Sequence, residues 1–260
     1  MCGIFGFALT KPVPLSGVFR VLERLEVCQY PGEETPVGGY GAGIALLLVD
    51  GSVIYDKVGK VNGSPARRLS EIMKTAKASV LLGHVRMPSP EFMQTAKLRE
   101  TAQPYVVEHN PDCTVVSVHN GRVENYKQIR AELGRGHVFE SERTELIDSE
   151  VIPHLFWQLL NEKSNANEAL DELCSTLEGP SAIGMLQIDE EGTLLHFIHK
   201  GKTRGLTIWA NKQDEIVFCS RKEPLTPEFA SLLAEGKFEE KVSIGRREEK
   251  SLKLSFAIKG

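Results

Sequence analysis

Short apolar runs of strand length alternate along the chain with stretches whose apolar residues recur every three or four positions. Residues 3–9 form a continuous apolar run, the pattern of a buried strand. Leu15, Val18, Phe19, Leu22 and Leu25 then recur at helical spacing and predict a helix that ends before Gln29. The Gly- and Pro-rich stretch 30–43 reads as a loop. Runs 42–49 and 52–58 flank Asp50-Gly51, a pair suited to the positive φ of a tight hairpin turn, so they predict a β-hairpin. Residues 66–77 read as a helix and 80–86 as a strand. The polar segment 87–103, carrying Pro88 and Pro90, reads as a mobile loop behind Arg86. Residues 114–118 form a further strand, which the turn His119-Asn120-Gly121 leaves.

Helical patterns cover 124–133 and 149–160, with Asp148 a suitable N-cap for the second, and a third helix covers 167–177. Strand patterns follow at 181–189, 193–199, 206–210 and 215–220, a short helix opens at Pro227, and 252–258 is the last strand. Helices grouped between two batches of mostly antiparallel strands predict an α+β protein, two packed sheets covered by helices. No repeat, low-complexity tract or linker divides the chain, so residues 2–260 read as one domain.

Composition narrows the classes. With 260 residues, 41% hydrophobic and 25% charged, the chain can bury a sizeable core. Its net charge is −4 and its basic residues are interleaved with acids, which argues against a nucleic-acid partner. No run approaches the ~18 apolar residues of a spanning helix, and no signal peptide precedes the first strand, so the expectation is a cytoplasmic protein without membrane contact. Five cysteines at wide spacing (Cys2, Cys28, Cys113, Cys174, Cys219) fit neither a disulfide framework nor a metal knuckle, and no metal is expected.

Cys2 is the candidate with the most chemistry. If Met1 is removed, a thiol and a free α-amine share one residue, which pairs a nucleophile with its own base. An α-amine titrates near ~7.7–8.0 and a thiol near ~8.5, so little is needed to pass the proton. Taken alone, Cys2 is equally a small apolar residue starting a strand. Arg86 alone is a surface arginine, Asn120-Gly121 a turn pair and Asp148 a helix cap. His84 and His119 read as packing histidines, Cys219 as a packed thiol, and 200–204 as a solvated basic hairpin tip.

Met1-Cys2-Gly3-Ile4-Phe5-Gly6-Phe7 resembles the start of the class II glutamine amidotransferases, an N-terminal-nucleophile family. Gly83-His84-Val85-Arg86 is similar to that family's Gly-His-x-Arg, His119-Asn120-Gly121-Arg122-Val123-Glu124-Asn125-Tyr126 to its His-Asn-Gly block, and Asp148-Ser149-Glu150-Val151-Ile152 to its Asp-Thr/Ser-Glu-x-Ile. The segments keep the family's order, and the resemblance runs from residue 2 to roughly residue 225. It implies a four-layer αββα sandwich of the Ntn-hydrolase type. It also implies that the side-chain amide of glutamine is hydrolysed to glutamate and ammonia through a thioester on Cys2, without cofactor. Under this resemblance Asn120 and the backbone N–H of Gly121 form the oxyanion hole, Arg86 binds the α-carboxylate of glutamine, and Asp148 binds its α-ammonium.

The chain departs from that pattern at Met87-Pro88-Ser89-Pro90, where the family usually has an aromatic residue and a polar pair. It departs again at Thr101, where an Asn is often found three residues before the proline, here Pro104. These departures leave a γ-glutamyl amide or peptide hydrolase open. No synthase domain follows, so a separate synthase subunit is the expected ammonia acceptor. A catalytically silent regulatory subunit and a homo-oligomer are further readings.

Overall fold

In the computed structural model of the protein, which describes residues 2–73, 77–108 and 113–258, the apolar runs assemble into twelve strands. In chain order these are β1 (Gly3–Pro14), β2 (Gly41–Leu47), β3 (Val53–Gly59), β4 (Lys77–Val85), β5 (Tyr105–Glu108), β6 (Cys113–Gly121), β7 (Ser181–Asp189), β8 (Gly192–Lys200), β9 (Leu206–Ala210), β10 (Ile216–Cys219), β11 (Glu239–Ile244) and β12 (Leu252–Ile258). They form two antiparallel sheets, ordered β11-β9-β10-β1-β4-β2-β3 and β12-β8-β7-β6-β5.

Among the described residues, six α-helices cover the outer faces. Helices α1 (Leu15–Val27), α2 (Pro65–Ile72) and α6 (Pro227–Glu235) lie on the first sheet, over a core that includes Phe5, Phe7, Leu22, Leu25 and Val85. Helices α3 (Tyr126–Glu132), α4 (Val151–Glu162) and α5 (Ala166–Thr176) lie on the second, over Val115, Ile183, Met185 and Ile198. Between the sheets, Ile4, Leu82, Val116, Val118, Phe197 and Phe218 make a third apolar layer. This is the αββα sandwich that the resemblance implied. Each fully buried Phe or Leu contributes roughly 1.5–3 kcal/mol, so three apolar layers of them hold the two sheets and two helical layers together.

The period of two along a strand decides what each face carries. On β1, Phe5 and Phe7 point to the helices while Ile4 points between the sheets, which carries Cys2 to the inner side. On β4, Val85 belongs to the helical side and Leu82 to the inner side, so His84 and Arg86 follow Leu82. On β6, Val116 and Val118 are inward, and Asn120 continues that row.

Several expectations are corrected. Asn120 and Gly121 do not turn away from their strand: they are its last residues, paired with Ala182 and Ser181 of β7. Segment 87–103 is not an open loop but two 3-10 turns, Pro90–Thr95 and Arg99–Thr101, that bury Phe92, Thr95, Ala96 and Thr101. Strands β5 and β11 are additions, short and charged enough to lack a clear apolar alternation. The predicted helix 66–77 ends at Ile72, and 74–76, like Met1, lie outside the described residues.

Candidate active site

Register places the site at the ends of β1, β4 and β6. Gly3 pairs with Val85 and Ile4 with His84, so the chain on either side brings Cys2 to Arg86 and Met87. The half-buried Cys2 Sγ accepts the Met87 N–H at 3.3 Å and lies 3.5 Å from the Met87 carbonyl. A Cβ on Gly3 would stand 2.5 Å from Val37 Cγ1, so glycine is what lets the segment after α1 close on the residue beside the thiol.

Arg86 is buried, and the two 3-10 turns fix its guanidinium. Nη1 donates to Thr101 Oγ1 at 2.6 Å and to the Thr95 carbonyl at 3.2 Å, while Nη2 donates to Thr95 Oγ1 at 2.9 Å. These neutral oxygens orient the fork without neutralising it. Among the described residues no carboxylate comes within ion-pair distance of Arg86. Burial lowers its pKa, and Tyr105, Cys2 and Asp148 act in the opposite direction, which puts all three within its electrostatic reach. Thr101, a departure from the family pattern in the sequence, is therefore a ligand of Arg86. Thr95 gave no signal in the sequence.

Asp148 opens a 3-10 turn, Asp148–Glu150, and does not cap α4 as expected: the residue before α4 is Glu150, which makes no side-chain cap bond. The Asp148 carboxylate instead reaches back to β6's exit, accepting the Val123 N–H at 2.9 Å and the Ser149 hydroxyl at 3.2 Å. Burial pushes its carboxyl up to about 6, and those hydrogen bonds offset only part of the effect. Among the described residues, no cation lies within ion-pair distance of it.

Asn120 is fully buried, and neither its amide nitrogen nor its amide oxygen has a hydrogen-bond partner among the described residues. Leaving such a group unmet costs about 1–3 kcal/mol. The strand end beneath it is held by Gln103, which the sequence reading missed: Oε1 accepts the His119 N–H at 2.6 Å and Nε2 donates to the His119 carbonyl at 3.2 Å. That side chain takes the place of a neighbouring strand. Gly121 is explained by packing, since a Cβ there would stand 2.1 Å from the Pro180 carbonyl and 2.6 Å from His119 Nε2.

The two histidines differ. His119 is satisfied, with Ser149 Oγ at 2.9 Å and Ser181 Oγ at 3.2 Å, and burial pushes it down to about 3. His84 is not the satisfied histidine expected: fully buried, its ring nitrogens meet no partner of normal hydrogen-bond geometry. Burial first, and then the charge of Arg86, hold it well below the ordinary histidine range, so it presents a neutral imidazole. The buried Tyr105 hydroxyl is likewise unbonded among the described residues.

A surface cleft of about 700 Å³ lies at the other end of the second sheet beside Cys113, Asp189 and Gly192 and touches none of these groups. Among the described residues no helix is long and apolar enough to cross a membrane.

Comparison with known proteins bears on family and fold. Residues 91–227 match the family described as a glutamine amidotransferase domain. The glutamine–fructose-6-phosphate aminotransferase (isomerizing) of Methanosarcina mazei is 31% identical over 206 residues, a match covering 75% of this chain and 29% of that protein. Its counterpart from Methanosarcina acetivorans is 32% identical with the same coverage. The chain thus spans under a third of the length of these curated relatives. In fold, the structure of the allosteric regulatory enzyme of purine biosynthesis superposes with a TM-score of 0.66 at 17% identity, covering 99% of this chain and 49% of that one. The glutamine phosphoribosylpyrophosphate amidotransferase from B. subtilis, complexed with ADP and GMP, does so with a TM-score of 0.63 at 18% identity and the same coverage.

Proposed function

The chain belongs to the glutamine amidotransferase domains of class II, and from that premise we propose that it hydrolyses the side-chain amide of glutamine with Cys2 as the nucleophile and delivers the ammonia to a separate synthase subunit. What supports the reading is a pair of buried, opposite charges, Arg86 and Asp148, within electrostatic reach of each other, with Cys2 also within reach of Arg86. Arg86 is oriented by Thr95 and Thr101, and Asp148 by Val123 and Ser149, each through neutral partners. An α-amino acid carries the two complementary charges on one carbon. Its carboxylate would take the planar fork of Arg86 and its ammonium the Asp148 carboxylate, which fixes the direction in which the side chain extends.

With glutamine so held, the Cys2 thiol attacks the γ-carboxamide carbon as its proton passes to the Cys2 α-amine, freed by removal of Met1. The oxyanion takes the unmet amide N–H of Asn120 and the backbone N–H of Gly121. Collapse of the adduct breaks the C–N bond, the amine returns the proton, and ammonia leaves a γ-glutamyl thioester. Water then attacks the thioester, giving glutamate and the free thiol. Burial lowers the pKa of both His84 and His119 and makes them weak bases, which leaves the α-amine as the base of this scheme.

The second reading, a γ-glutamyl amide or peptide hydrolase, draws on Met87–Pro90, a segment whose first backbone N–H and carbonyl, those of Met87, meet the Cys2 sulfur. One experiment tests both. A glutamine analogue with an electrophilic carbon is expected to label Cys2 and none of Cys28, Cys113, Cys174 or Cys219, in protein that mass spectrometry shows to lack Met1. Glutamate release from glutamine should disappear with the label. Activity from chains that keep Met1 would sink the amine-base mechanism, and faster turnover of a γ-glutamyl peptide than of glutamine would favour the second reading.

A further inference from the structure

A second charged cluster stands on the flank of Cys2 and has no part in the chemistry above. The 3-to-1 imbalance in it is the observation: Arg204, Arg221 and Arg246 all converge on one carboxylate oxygen, Oε1 of Glu33. Arg246 Nε is 3.2 Å from it, Arg204 Nε 3.9 Å, and Arg221 Nη2 donates to it directly. The other oxygen of Glu33 accepts the Tyr30 N–H at 2.8 Å. Burial alone would raise the Glu33 carboxyl, but the hydrogen bonds from Arg221 and from the Tyr30 N–H hold it below the usual range, so it is ionised. Three guanidinium charges converge on one carboxylate, and with Glu223 at the edge of the cluster also counted a positive surplus remains.

The surplus is built in. The side chains of Arg204 and Arg221 are 7% and 1% exposed, and Arg221 stacks on the Tyr30 ring at 3.9 Å. Among the described residues, Arg204 Nη1 and Arg221 Nε are buried without a hydrogen-bond partner. Two charged, pre-oriented donors that meet nothing are expensive to keep for structure alone. The nearby acid Glu223 accepts the Tyr30 hydroxyl and, among the described residues, makes no ion pair with the three arginines, so it adds a second negative charge only at the edge of the cluster. The cluster is tied to the catalytic strand: Ser220, next to Arg221, exchanges hydrogen bonds of 2.9 Å with both the N–H and the carbonyl of Ile4, two residues from Cys2.

We propose that Arg204, Arg221 and Arg246 form an oxyanion site beside Cys2 that takes a phosphate group, with the Glu33 carboxylate as the internal anion that the phosphate displaces. Phosphate fits better than a carboxylate because it carries close to two negative charges and three acceptor oxygens, matching the surplus charge and the unmet donors. Glu33 sits on a turn closed by its own N–H on the Tyr30 carbonyl at 3.0 Å, and the carbonyls of Pro31 and Gly32 in that turn face the largely buried Arg246 fork at 3.4 and 3.5 Å, so a rotation of the Glu33 side chain frees the arginines without opening the turn.

Isothermal titration of the full chain with inorganic phosphate, and in a parallel arm with glycerol phosphate, at constant ionic strength, tests this. Saturable binding is expected, weakened about tenfold or more by Arg204→Gln and by Arg246→Gln and strengthened about tenfold by Glu33→Gln. If Arg204→Gln fails to fold by circular dichroism, Arg246→Gln, at the rim, carries that arm. Binding of both ligands assigns the site to a phosphoryl group on a small molecule, and binding of inorganic phosphate alone assigns it to free phosphate; either upholds it. No saturable binding to the wild type and to folded Glu33→Gln, or binding unchanged by Arg246→Gln, overturns it. The readout is independent of glutamine hydrolysis, so its failure leaves the function proposed above standing.

Discussion

Lys57 on β3 and Arg86 at the end of β4 are both cations folded away from water, yet their surroundings differ. Lys57 is paired with Glu140 at 2.6 Å, donates to the Pro104 carbonyl at 3.2 Å, and lies 4.5 Å over the Tyr105 ring. Among the described residues Arg86 has only threonine hydroxyls and a carbonyl. Both pay for desolvation, but Lys57 recovers it within the fold, whereas the charge of Arg86 and that of Asp148 opposite are oriented rather than neutralised. Internal pairing marks a structural charge. Neutral orientation marks one kept for binding, and the same contrast extends to Asn120, whose unmet amide belongs with the second group.

Variants can break or sharpen this contrast. The largest effect is expected at Asn120: Asn120→Ala should lower kcat for glutamine by about 10²–10³-fold with KM little changed, because its amide acts once the oxyanion forms, and steady-state kinetics read the split. Lys57→Met should do the reverse, costing stability. About 2 kcal/mol is expected in denaturant titration, less than the ~3–5 of a wholly buried broken pair, since Glu140 is 26% exposed and also reaches Arg99. Arg86→Lys keeps charge but loses the fork that Thr95 and Thr101 hold. KM for glutamine should rise about tenfold, with a smaller change in kcat. An unchanged KM would remove Arg86 from the binding group.

The four strand-end and turn motifs that carry Cys2, Arg86, Asn120 and Asp148 were legible in the sequence because each couples an apolar strand or helix to a short polar punctuation. Their conformations were less so. Asn-Gly signals a turn locally, but pairing with Ala182 and Ser181 extends β6 through it, a tertiary contact that overrides the local preference. Asp148 has the chemistry of a cap, but its carboxylate is claimed by Val123 from across the site. The supporting residues Thr95, Thr101 and Gln103 lie in an irregular segment with no period to read, and only the folded turns reveal that they orient Arg86 and His119.

Asp148→Asn tests the central claim, that this buried charge serves binding at the expense of the fold. With its carboxyl raised to about 6 in the folded state against 3.8 ordinarily, ionising it weakens the fold progressively as pH rises from about 3.8 to 6, by an amount on the order of 2–3 kcal/mol that then stays constant. Thermal unfolding and glutamine kinetics should be measured on the same preparations from pH 4 to 8. Above pH 6, Asp148→Asn is expected to melt at or above the wild-type temperature, with the difference vanishing toward pH 4, while kcat/KM for glutamine falls at least about tenfold. Wild-type kcat/KM should itself decline as pH drops through about 6. A variant that melts lower at every pH and keeps wild-type kcat/KM would make Asp148 a structural residue and contradict the account.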